Sequence, residues 1–300
     1  MTPLYQKKER RTRMEKICDL HTHSNCSDGS LSPTELVIAA KAQGVAALAL
    51  TDHNTTKGLA EFVAAGRDVG MIAVPGCEFS TDYGDTELHI VGLFLPETAW
   101  PEVESYVAVL QRNKHNSNLL LIEKLREKGC DITYDEVAAT TDADEFNRAH
   151  VGMLLYAKGY VESVNHAFQT LLKEGNGCYF PSKRPDVFET IRFIRAVGGV
   201  PVLAHPFLNL DNAELEIFLP QAKEAGLAAM ETRYSLFDEI ETQEAAELAQ
   251  RFGLLPSGGS DFHGGAKKLI HIGTGQGDLY VPFGYYEALR DFAESCRPEA

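Results

Sequence analysis

Side chains that can bind metal ions stand at the ends of several short apolar runs. His21 and His23 are two residues apart, and residues so spaced in a β-strand point to one face, so both imidazoles can reach one ion. Further candidates follow this pair and the later runs: Asp28, Asp52, His53, Glu78, His205, Asp261 and His263. A single residue of this kind is ordinarily a packing or surface side chain. Their joint occurrence, in a chain with 10 His, predicts a metal site.

Seven apolar runs predict the strands that position these residues, at about 16–21, 45–51, 71–75, 88–95, 200–204, 227–231 and 254–256. Helical patterns separate most of them. Ser32 and Glu35 form a predicted capping box with Pro33 at the first helical position, and Gly44 ends that helix. The same alternation recurs at 56–70, 186–198, 213–226 and 239–253. It predicts a largely parallel α/β barrel, in which catalytic groups come from the C-terminal ends of several strands.

Two of the candidates place a condition on the strand at 88–95. Glu78 lies past the end of one predicted strand, whereas His89 lies at the start of the next. If both side chains face one site, the link between them must return the chain to the same end of the barrel, and the 88–95 strand runs antiparallel. His89 as the side chain of an edge strand remains the alternative.

The alternation of strands and helices stops between about residues 97 and 183. Amphipathic helical patterns follow one another there without an intervening strand, at 103–129, 134–139, 149–159 and 163–175. We therefore expect a barrel built from 14–98 and 184–300, with 99–183 as a helical insertion that covers the cleft. Residues 1–13 are polar and basic, so we expect a disordered tail, and the sequence leaves open whether Met1 or Met14 is the functional start.

Composition limits the classes of protein and partner. With 44% hydrophobic and 24% charged residues the chain can bury a large core, and its net charge of −15 disfavours binding to long nucleic acid. The longest apolar runs are too short to span a membrane, and no secretory signal follows the basic tail, so the cytoplasm is the expected location. Six scattered Cys suggest reduced structural thiols. The sequence leaves the oligomeric state open.

Six motifs in order along the chain resemble those of the polymerase and histidinol phosphatase (PHP) superfamily: HTHSNCSDG (21–29), LTDHNTTKG (50–58), VPGCEFS (74–80), ELHIVGLF (87–94), VLAHPF (202–207) and GGSDFHG (258–264). The resemblance runs from about Lys16 to the C-terminus. The segment around Arg148 and His150 is similar to the helical insertion of small stand-alone bacterial phosphoesterases of that superfamily, such as nucleoside 3′,5′-bisphosphate phosphatases. The resemblance implies a distorted seven-stranded, TIM-like barrel with a trinuclear metal site.

The resemblance also implies which residues hold each ion. One ion is held by His21, His23, Glu78 and Asp261; Glu78 bridges to a second held by His89 and His205; the third is held by Asp28, His53 and His263. Glu78, Asp261 and His263 are the expected catalytic residues within this set. Mixed His and carboxylate ligands suit Zn, Mn or Fe(II) and not Mg alone. Asp52 is expected to orient a ligand rather than to bind metal.

For such a site the expected chemistry is hydrolysis of a phosphate ester by a metal-bridging hydroxide. Arg148 is expected to bind phosphate because its planar guanidinium can contact two oxygens, with His150 beside it. Lys183 and Arg184, where the insertion rejoins the barrel, are candidates for a second phosphate.

The expected substrate is a small phosphorylated metabolite, and its type stays open. The segment around Ser182 differs from that of the familiar nucleotide bisphosphatases, which leaves nucleoside bisphosphates, cyclic phosphodiesters and sugar phosphates as candidates. Two alternatives remain beside this hypothesis: 5′-to-3′ trimming of short RNA, and a non-catalytic metal-binding module.

Overall fold

The strand ends singled out above meet at one end of a seven-stranded sheet. The computed structural model describes residues 16–141, 146–175 and 177–296. The strands follow the sheet in chain order: β1 (Ile17–Asp19), β2 (Val45–Leu50), β3 (Ile72–Tyr83), β4 (Thr86–Leu93), β5 (Val200–Leu203), β6 (Ala229–Tyr234) and β7 (Leu255–Gly259). Leu20 N donates to Gly258 O and Asp261 N donates to His21 O, so the two ends of the sheet meet. The result is a nearly closed, distorted seven-stranded barrel, which confirms the predicted fold class.

Strand β4 runs antiparallel to both of its neighbours, while every other neighbouring pair is parallel. In the β3–β4 hairpin Glu78 is opposite Val91 and Ser80 is opposite His89, so Glu78 and His89 share one face. The predicted antiparallel hairpin is therefore confirmed. His89 lies on an interior strand and not on an edge. Strand β3 is longer than the predicted 71–75 run, because pairing with β4 extends it to Tyr83.

Ten α-helices are described: α1 (Pro33–Ala42), α2 (Leu59–Val69), α3 (Trp100–Glu127), α4 (Tyr134–Ala138), α5 (Arg148–Ala157), α6 (Val164–Gln169), α7 (Val187–Ala196), α8 (Asn212–Ala225), α9 (Glu239–Phe252) and α10 (Phe283–Ser295). The capping box predicted for α1 is present, with Ser32 Oγ accepting from Glu35 N and Glu35 Oε2 accepting from Ser32 N. Helix α6 ends at Gln169, earlier than the predicted 163–175 pattern, and α10 was not predicted.

The interior of the barrel and the insertion have separate apolar cores, two of four apolar clusters among the described residues. Inside the barrel, small and branched side chains such as Ala47, Val91 and Val202 pack against Leu289 of α10. The insertion, α3 to α6, has its own core: Leu121, Ile122, Leu125, Val137, Phe146, Val151 and Leu155. The first half of α3 instead packs on the barrel, through Val103 and Val107. Helix α3 therefore connects the insertion core with the apolar cluster between strands β3 and β4 and helices α7 to α9.

All six Cys are free, and four of them are buried: Cys18, Cys77, Cys130 and Cys178. Burial raises the pKa of the Cys18 thiol to about 12. That thiol is therefore protonated and unreactive at neutral pH, as expected of a structural cysteine. Within the described ranges, no helix has the length and apolar character needed to cross a membrane.

Candidate metal centre

The strand ends bring all the predicted ligands into one region of the barrel. His21 and His23 follow β1, His53 follows β2, Glu78 lies in β3, His89 in β4, His205 follows β5, and Asp261 and His263 follow β7. Three groups have donor atoms within 4.8 Å of one another: His23, Asp28, His53 and His263; His21, His23 and Glu78; and His53, Glu78 and His89. The groups resemble the implied ligand sets, except that His23 and His53 each belong to two groups and that Asp261 and His205 belong to none.

Glu78 is the centre of this arrangement and is fully buried. Its Oε1 lies 2.8 Å from His89 Nδ1 and 3.0 Å from His205 Nε2. Its Oε2 lies 3.1, 3.3 and 3.1 Å from three further ring nitrogens: His21 Nε2, His23 Nε2 and His53 Nδ1. One carboxylate thus contacts imidazoles from several strands, as a bridging ligand must.

Two aspartates complete the ring of candidate ligands. Asp261 Oδ1 lies 3.2 Å from His23 Nε2, on the side of the buried histidines. Asp28 Oδ1 lies 3.2 Å from His263 Nε2, and Asp28 Oδ2 lies 3.8 Å from His53 Nε2. Asp28 and His53 are partly exposed, so this side of the cluster opens towards solvent.

Four buried polar atoms in the cluster have no hydrogen-bond partner among the described residues: His21 Nε2, His23 Nδ1, His23 Nε2 and Glu78 Oε2. A buried polar atom without a partner is costly, on the order of 1–3 kcal/mol. Three of these atoms lie close together, with Glu78 Oε2 3.1 Å from His21 Nε2 and 3.3 Å from His23 Nε2, whereas His23 Nδ1 lies 3.9 Å from Asp28 Oδ1. A cation between them would satisfy their lone pairs, so the residues present fit divalent metal ions.

The pKa values in the cluster are shifted by the carboxylates and imidazoles that lie next to one another. Burial alone would raise the pKa of Glu78, but the surrounding His21, His53 and His89 hold it well below its usual range. Burial lowers the pKa of His23, yet Asp261 and Glu78 outweigh it and raise the value to about 9. The carboxylates are therefore anionic, and metal ions must displace protons from histidine, so metal affinity rises with pH.

Strained backbone marks three of the strand ends at the metal centre. Asn54, His205 and Asp261 have φ of +50°, +28° and +55°, in the left-handed region that residues other than glycine seldom adopt. Asn54 directly follows the candidate ligand His53 after β2, and His205 and Asp261 are themselves candidate ligands after β5 and β7. Such strain persists only where surrounding contacts hold it, and it is concentrated at functional sites.

Asp52 lies beside the centre, as expected, but its hydrogen bonds go to serines rather than to a ligating imidazole. It accepts from Ser24 N at 2.8 Å, from Ser24 Oγ at 2.6 Å and from Ser27 Oγ at 2.6 Å. These bonds fix the loop between His23 and Asp28. Asp52 therefore orients the site through that loop.

Three residues that support the ligands had no role predicted from the sequence. Tyr234 Oη and Lys267 Nζ both donate to Asp261 Oδ2, at 2.8 and 2.6 Å, which leaves Oδ1 facing the histidines. Glu231 contacts His21 and His205. Glu231 and Tyr234 could have been predicted as supporting residues, because they place polar groups in β6, a strand to which no ligand had been assigned.

A cleft of about 290 Å³ separates the ligand cluster from the insertion. Its barrel wall includes Asp28, His53 and His89, and its opposite wall includes the predicted phosphate-binding residues Arg148 and His150. Sequence reasoning missed further lining residues on the insertion: Gln111, Lys114, Asn118, Asn147 and Tyr179. This volume is close to the lower limit of the range usual for small-molecule sites.

Arg148 and His150 are positioned by the first turn of α5. Asn147 caps the helix, accepting from Ala149 N at 3.0 Å and His150 N at 3.3 Å. The Arg148 guanidinium carbon lies 4.1 Å from the centre of the Tyr179 ring, a stacking contact that limits its rotation. His150 Nδ1 accepts from Asn147 N at 3.2 Å, so a neutral His150 carries its proton on Nε2.

Arg184 and Lys183 differ in their surroundings. Arg184 Nη1 and Nη2 donate to Asp82 Oδ1 at 2.8 Å and to Glu87 Oε2 at 2.6 Å, so two carboxylates already balance its charge. Arg184 lines the cleft, whereas Lys183 is absent from the described residues that line it. The contact found for Lys183 is through its main-chain oxygen, which accepts from Asn113 Nδ2 at 3.0 Å.

The nearly closed seven-stranded barrel and its cluster of His, Glu and Asp define a metal-dependent phosphoesterase. The sequence profile of the PHP domain matches residues 19–180, and the chain belongs to the PHP domain family. The resemblance stated from the motifs is therefore confirmed.

Relatives of known description differ in what they act on. A 5′-3′ exoribonuclease from Haemophilus influenzae is 35% identical over 83% of this chain and 91% of its own length. A phosphoribosyl 1,2-cyclic phosphate 1,2-diphosphodiesterase from Eggerthella lenta is 31% identical over 86% of this chain and 98% of its own. A 3′,5′-nucleoside bisphosphate phosphatase from Chromobacterium violaceum is 30% identical over 82% and 86%, respectively.

Among solved structures, an amidohydrolase from Chromobacterium violaceum, with bound sulfate and no metal, superposes with a TM-score of 0.79. It is 28% identical, and the match covers 91% of this chain and 96% of that one. The three curated relatives all act on phosphoesters, but each acts on a different kind of molecule: RNA, a cyclic sugar phosphate or a nucleoside bisphosphate.

Proposed function

We propose that this chain hydrolyses a phosphate ester of a small phosphorylated metabolite, a nucleotide or a sugar phosphate. The observation that carries the proposal is the buried Glu78 carboxylate, whose Oε2 faces His21 Nε2 and His23 Nε2, all three without a hydrogen-bond partner among the described residues. Its neighbours His53 and His89 line the cleft. A site built from groups this costly to bury is retained for a function. The volume of about 290 Å³ is that of a small-molecule site, which favours a small substrate over a long polymer.

Up to three divalent ions, Mn, Zn or Fe(II), are the cofactors that the donor groups suit. Glu78 would bridge two of them, with His21, His23 and Asp261 on one side and His89 and His205 on the other. Asp28, His53 and His263 would hold the third. When bound, such ions polarise a phosphoryl oxygen and lower the pKa of a water molecule towards neutrality.

The chain's own residues orient the substrate across the cleft. Arg148, held against Tyr179, can donate two hydrogen bonds to one phosphate group. His150 can donate from Nε2 on the same wall, because its Nδ1 is taken by Asn147 N. These donors face the metal ligands across the cleft, so a phosphate between the two walls would be contacted from both sides. The sulfate in the Chromobacterium structure shows that a protein of this fold can bind a tetrahedral anion.

A second candidate function is 5′-to-3′ trimming of short RNA. The exoribonuclease from Haemophilus influenzae, 35% identical over most of both chains, favours it. A cleft of this size is compatible with removal of single residues from a 5′ end. The net charge of −15 instead weighs against an extended RNA-binding surface.

A substrate panel separates these candidates. Purified protein is loaded in turn with Mn²⁺, Zn²⁺ or Fe²⁺ and given a nucleoside 3′,5′-bisphosphate, a cyclic phosphodiester, a sugar monophosphate and a 5′-phosphorylated RNA oligomer. We expect the highest kcat/KM on a small substrate. A higher value on the oligomer, with single-nucleotide products, would establish RNA trimming instead. Metal binding without hydrolysis of any substrate would identify a non-catalytic module.

A further inference from the structure

Glu231 is a buried carboxylate in β6, the strand to which no ligand was assigned. Only 2% of its surface is exposed. Its Oε1 lies 2.9 Å from His21 Nδ1, and its Oε2 accepts from the backbone His205 N at 2.6 Å. We propose that Glu231 is a positioning residue that orients two metal ligands from different strands, His21 through its ring and His205 through its backbone. The inference rests on the metal centre of the proposed function.

The contact with His21 determines which ring nitrogen faces the centre. An ionised carboxylate can only accept, so Nδ1 of a neutral His21 carries the proton and donates to Glu231 Oε1. The other nitrogen, Nε2, then presents a lone pair. It lies 3.1 Å from Glu78 Oε2 and 3.7 Å from Asp261 Oδ1, among the other candidate ligands. Glu231 thus selects the tautomer of His21 that can bind metal.

The contact with His205 stabilises an unusual backbone. His205 has φ +28° and ψ +60°, outside the regions that a non-glycine residue commonly adopts. This conformation directs the ring to Glu78, with His205 Nε2 lying 3.0 Å from Glu78 Oε1. The hydrogen bond from His205 N to Glu231 Oε2 holds the backbone of His205 in this strained conformation. Both oxygens of Glu231 are occupied by these donors, so it acts through His21 and His205 rather than as a ligand.

Both contacts require an acceptor, and this makes the carboxylate irreplaceable by an amide. Gln has nearly the same shape but offers one oxygen and one NH₂ group. If the NH₂ group faces His21, it forces the proton of that ring onto Nε2 and removes a ligand. If it faces His205 N, two donors oppose each other at the strained residue. Either orientation disturbs one ligand while the volume of the core is conserved.

The test compares E231Q with the wild-type protein and with E216Q. Glu216 is an exposed carboxylate that pairs with Arg251, and it serves as the matched control. Each metal-free protein is first checked for folding by circular dichroism and melting temperature. Zn²⁺ binding is then titrated in metal buffers, and Zn²⁺ per chain is measured after dialysis. We expect E231Q to bind Zn²⁺ about 10- to 100-fold more weakly, and E216Q to match the wild type.

An E231Q protein that binds as much Zn²⁺ as the wild type, with affinity within about twofold, would overturn the positioning role. A wild-type protein that binds no Zn²⁺, Mn²⁺ or Fe²⁺ would instead overturn the proposed function, and this inference with it. The two failures are therefore distinguishable.

A second measurement needs no Glu231 variant and stands even if E231Q does not fold. In Zn²⁺-loaded wild-type protein with ¹⁵N-labelled histidine, long-range ¹H–¹⁵N spectra identify which ring nitrogen is protonated. The His21 signals are assigned by their absence in H21Q. We expect the proton of His21 on Nδ1. A proton on Nε2 would contradict the inference.

Discussion

The two walls of the cleft are built in different ways. Behind the barrel wall, His21 and Glu78 are fully buried, one directly after β1 and the other within β3, and the sheet holds these strands in register. On the insertion wall, Arg148 and His150 are partly exposed, and one helix turn and a stacked ring position them. Metal ligation needs several donors within a few ångströms of one point, so it requires the rigid wall. Contacts to a phosphate can be made by side chains that retain some freedom.

The walls are nevertheless joined beside one ligand. Glu104 of α3 accepts from Thr56 N and from Thr56 Oγ1, the latter at 2.7 Å, and Gln111 Nε2 donates to Asn54 O at 3.1 Å. These bonds hold the loop that directly follows His53. His53 is 25% exposed, whereas His21 is wholly buried, so its position depends more on this loop. The insertion therefore supports the outer part of the metal centre as well as covering it.

The largest effect is expected at the centre of the barrel wall, from Glu78→Gln. An amide keeps the shape but loses the charge that holds two cations together, so both metal content and turnover should fall. The loss should exceed that of His205→Gln, which removes a single terminal ligand. It should also exceed the roughly 10- to 100-fold loss typical of residues that only orient a ligand. Metal analysis and kcat/KM on the same samples measure both.

A Glu78→Gln protein with three bound ions and a near-normal rate would show that Glu78 is not a bridging ligand. The circular dichroism spectrum of the variant serves as the control, because a protein that lost its fold would lose metal for another reason.

On the insertion wall, Arg148→Ala should impair catalysis without removing metal. Loss of a bidentate, charge-assisted phosphate contact is expected to cost about 2–4 kcal/mol, or roughly 30- to 1000-fold in kcat/KM. Arg148→Lys should retain only part of the wild-type kcat/KM, because the single charge of an ammonium group cannot reproduce the two parallel hydrogen bonds of the planar guanidinium. Arg251→Ala, an exposed arginine far along the chain, is the matched control. Full activity of Arg148→Ala on the best substrate would show that Arg148 of the insertion does not bind the substrate phosphate.

Arg184 anchors the segment where the insertion rejoins the barrel, and its substitution should act on stability first. Arg184→Ala removes two charged hydrogen bonds and leaves Asp82 and Glu87 without this partner, so unfolding should become easier by about 1.5–3 kcal/mol. Lys183→Ala, one residue earlier, should leave stability nearly unchanged. Chemical denaturation measures both.

The proposed second-phosphate role of Lys183 and Arg184 requires a further readout. The ratio of kcat/KM for doubly and singly phosphorylated substrates should change in these variants if either side chain contacts a second anionic group. An unchanged ratio in both would leave Arg184 as a structural residue and remove the second-phosphate site.

The smallest effect is expected where α3 supports the His53 loop. Glu104→Gln weakens acceptance from Thr55 and Thr56, and should lower affinity for the ion held by Asp28, His53 and His263 by about tenfold. Glu102→Gln, an exposed residue on the same helix, is the control and should bind normally. Equal metal affinities of the Glu104→Gln and Glu102→Gln variants would show that the insertion does not support the metal centre.

Residue types and spacing were sufficient to predict the barrel, the antiparallel β4 and the ligand candidates. Local chemistry carried each prediction: the alternation in strands, the capping box of α1, and the His-x-His spacing of His21 and His23. The hairpin followed from requiring Glu78 and His89 to face one site. The expected tail at 1–13 lies outside the described residues, and it remains a prediction.

Only the tertiary structure decided which residues support those ligands. Glu231 is 210 positions from His21 along the chain, and no local pattern links a glutamate in a strand to a histidine in another. Likewise, Lys267 and Tyr234 reach Asp261, and Asp82 and Glu87 neutralise Arg184, only because the barrel closes and the insertion returns to it. Strand periodicity determines which face a side chain takes, whereas hydrogen bonds between distant strands depend on how the whole sheet closes.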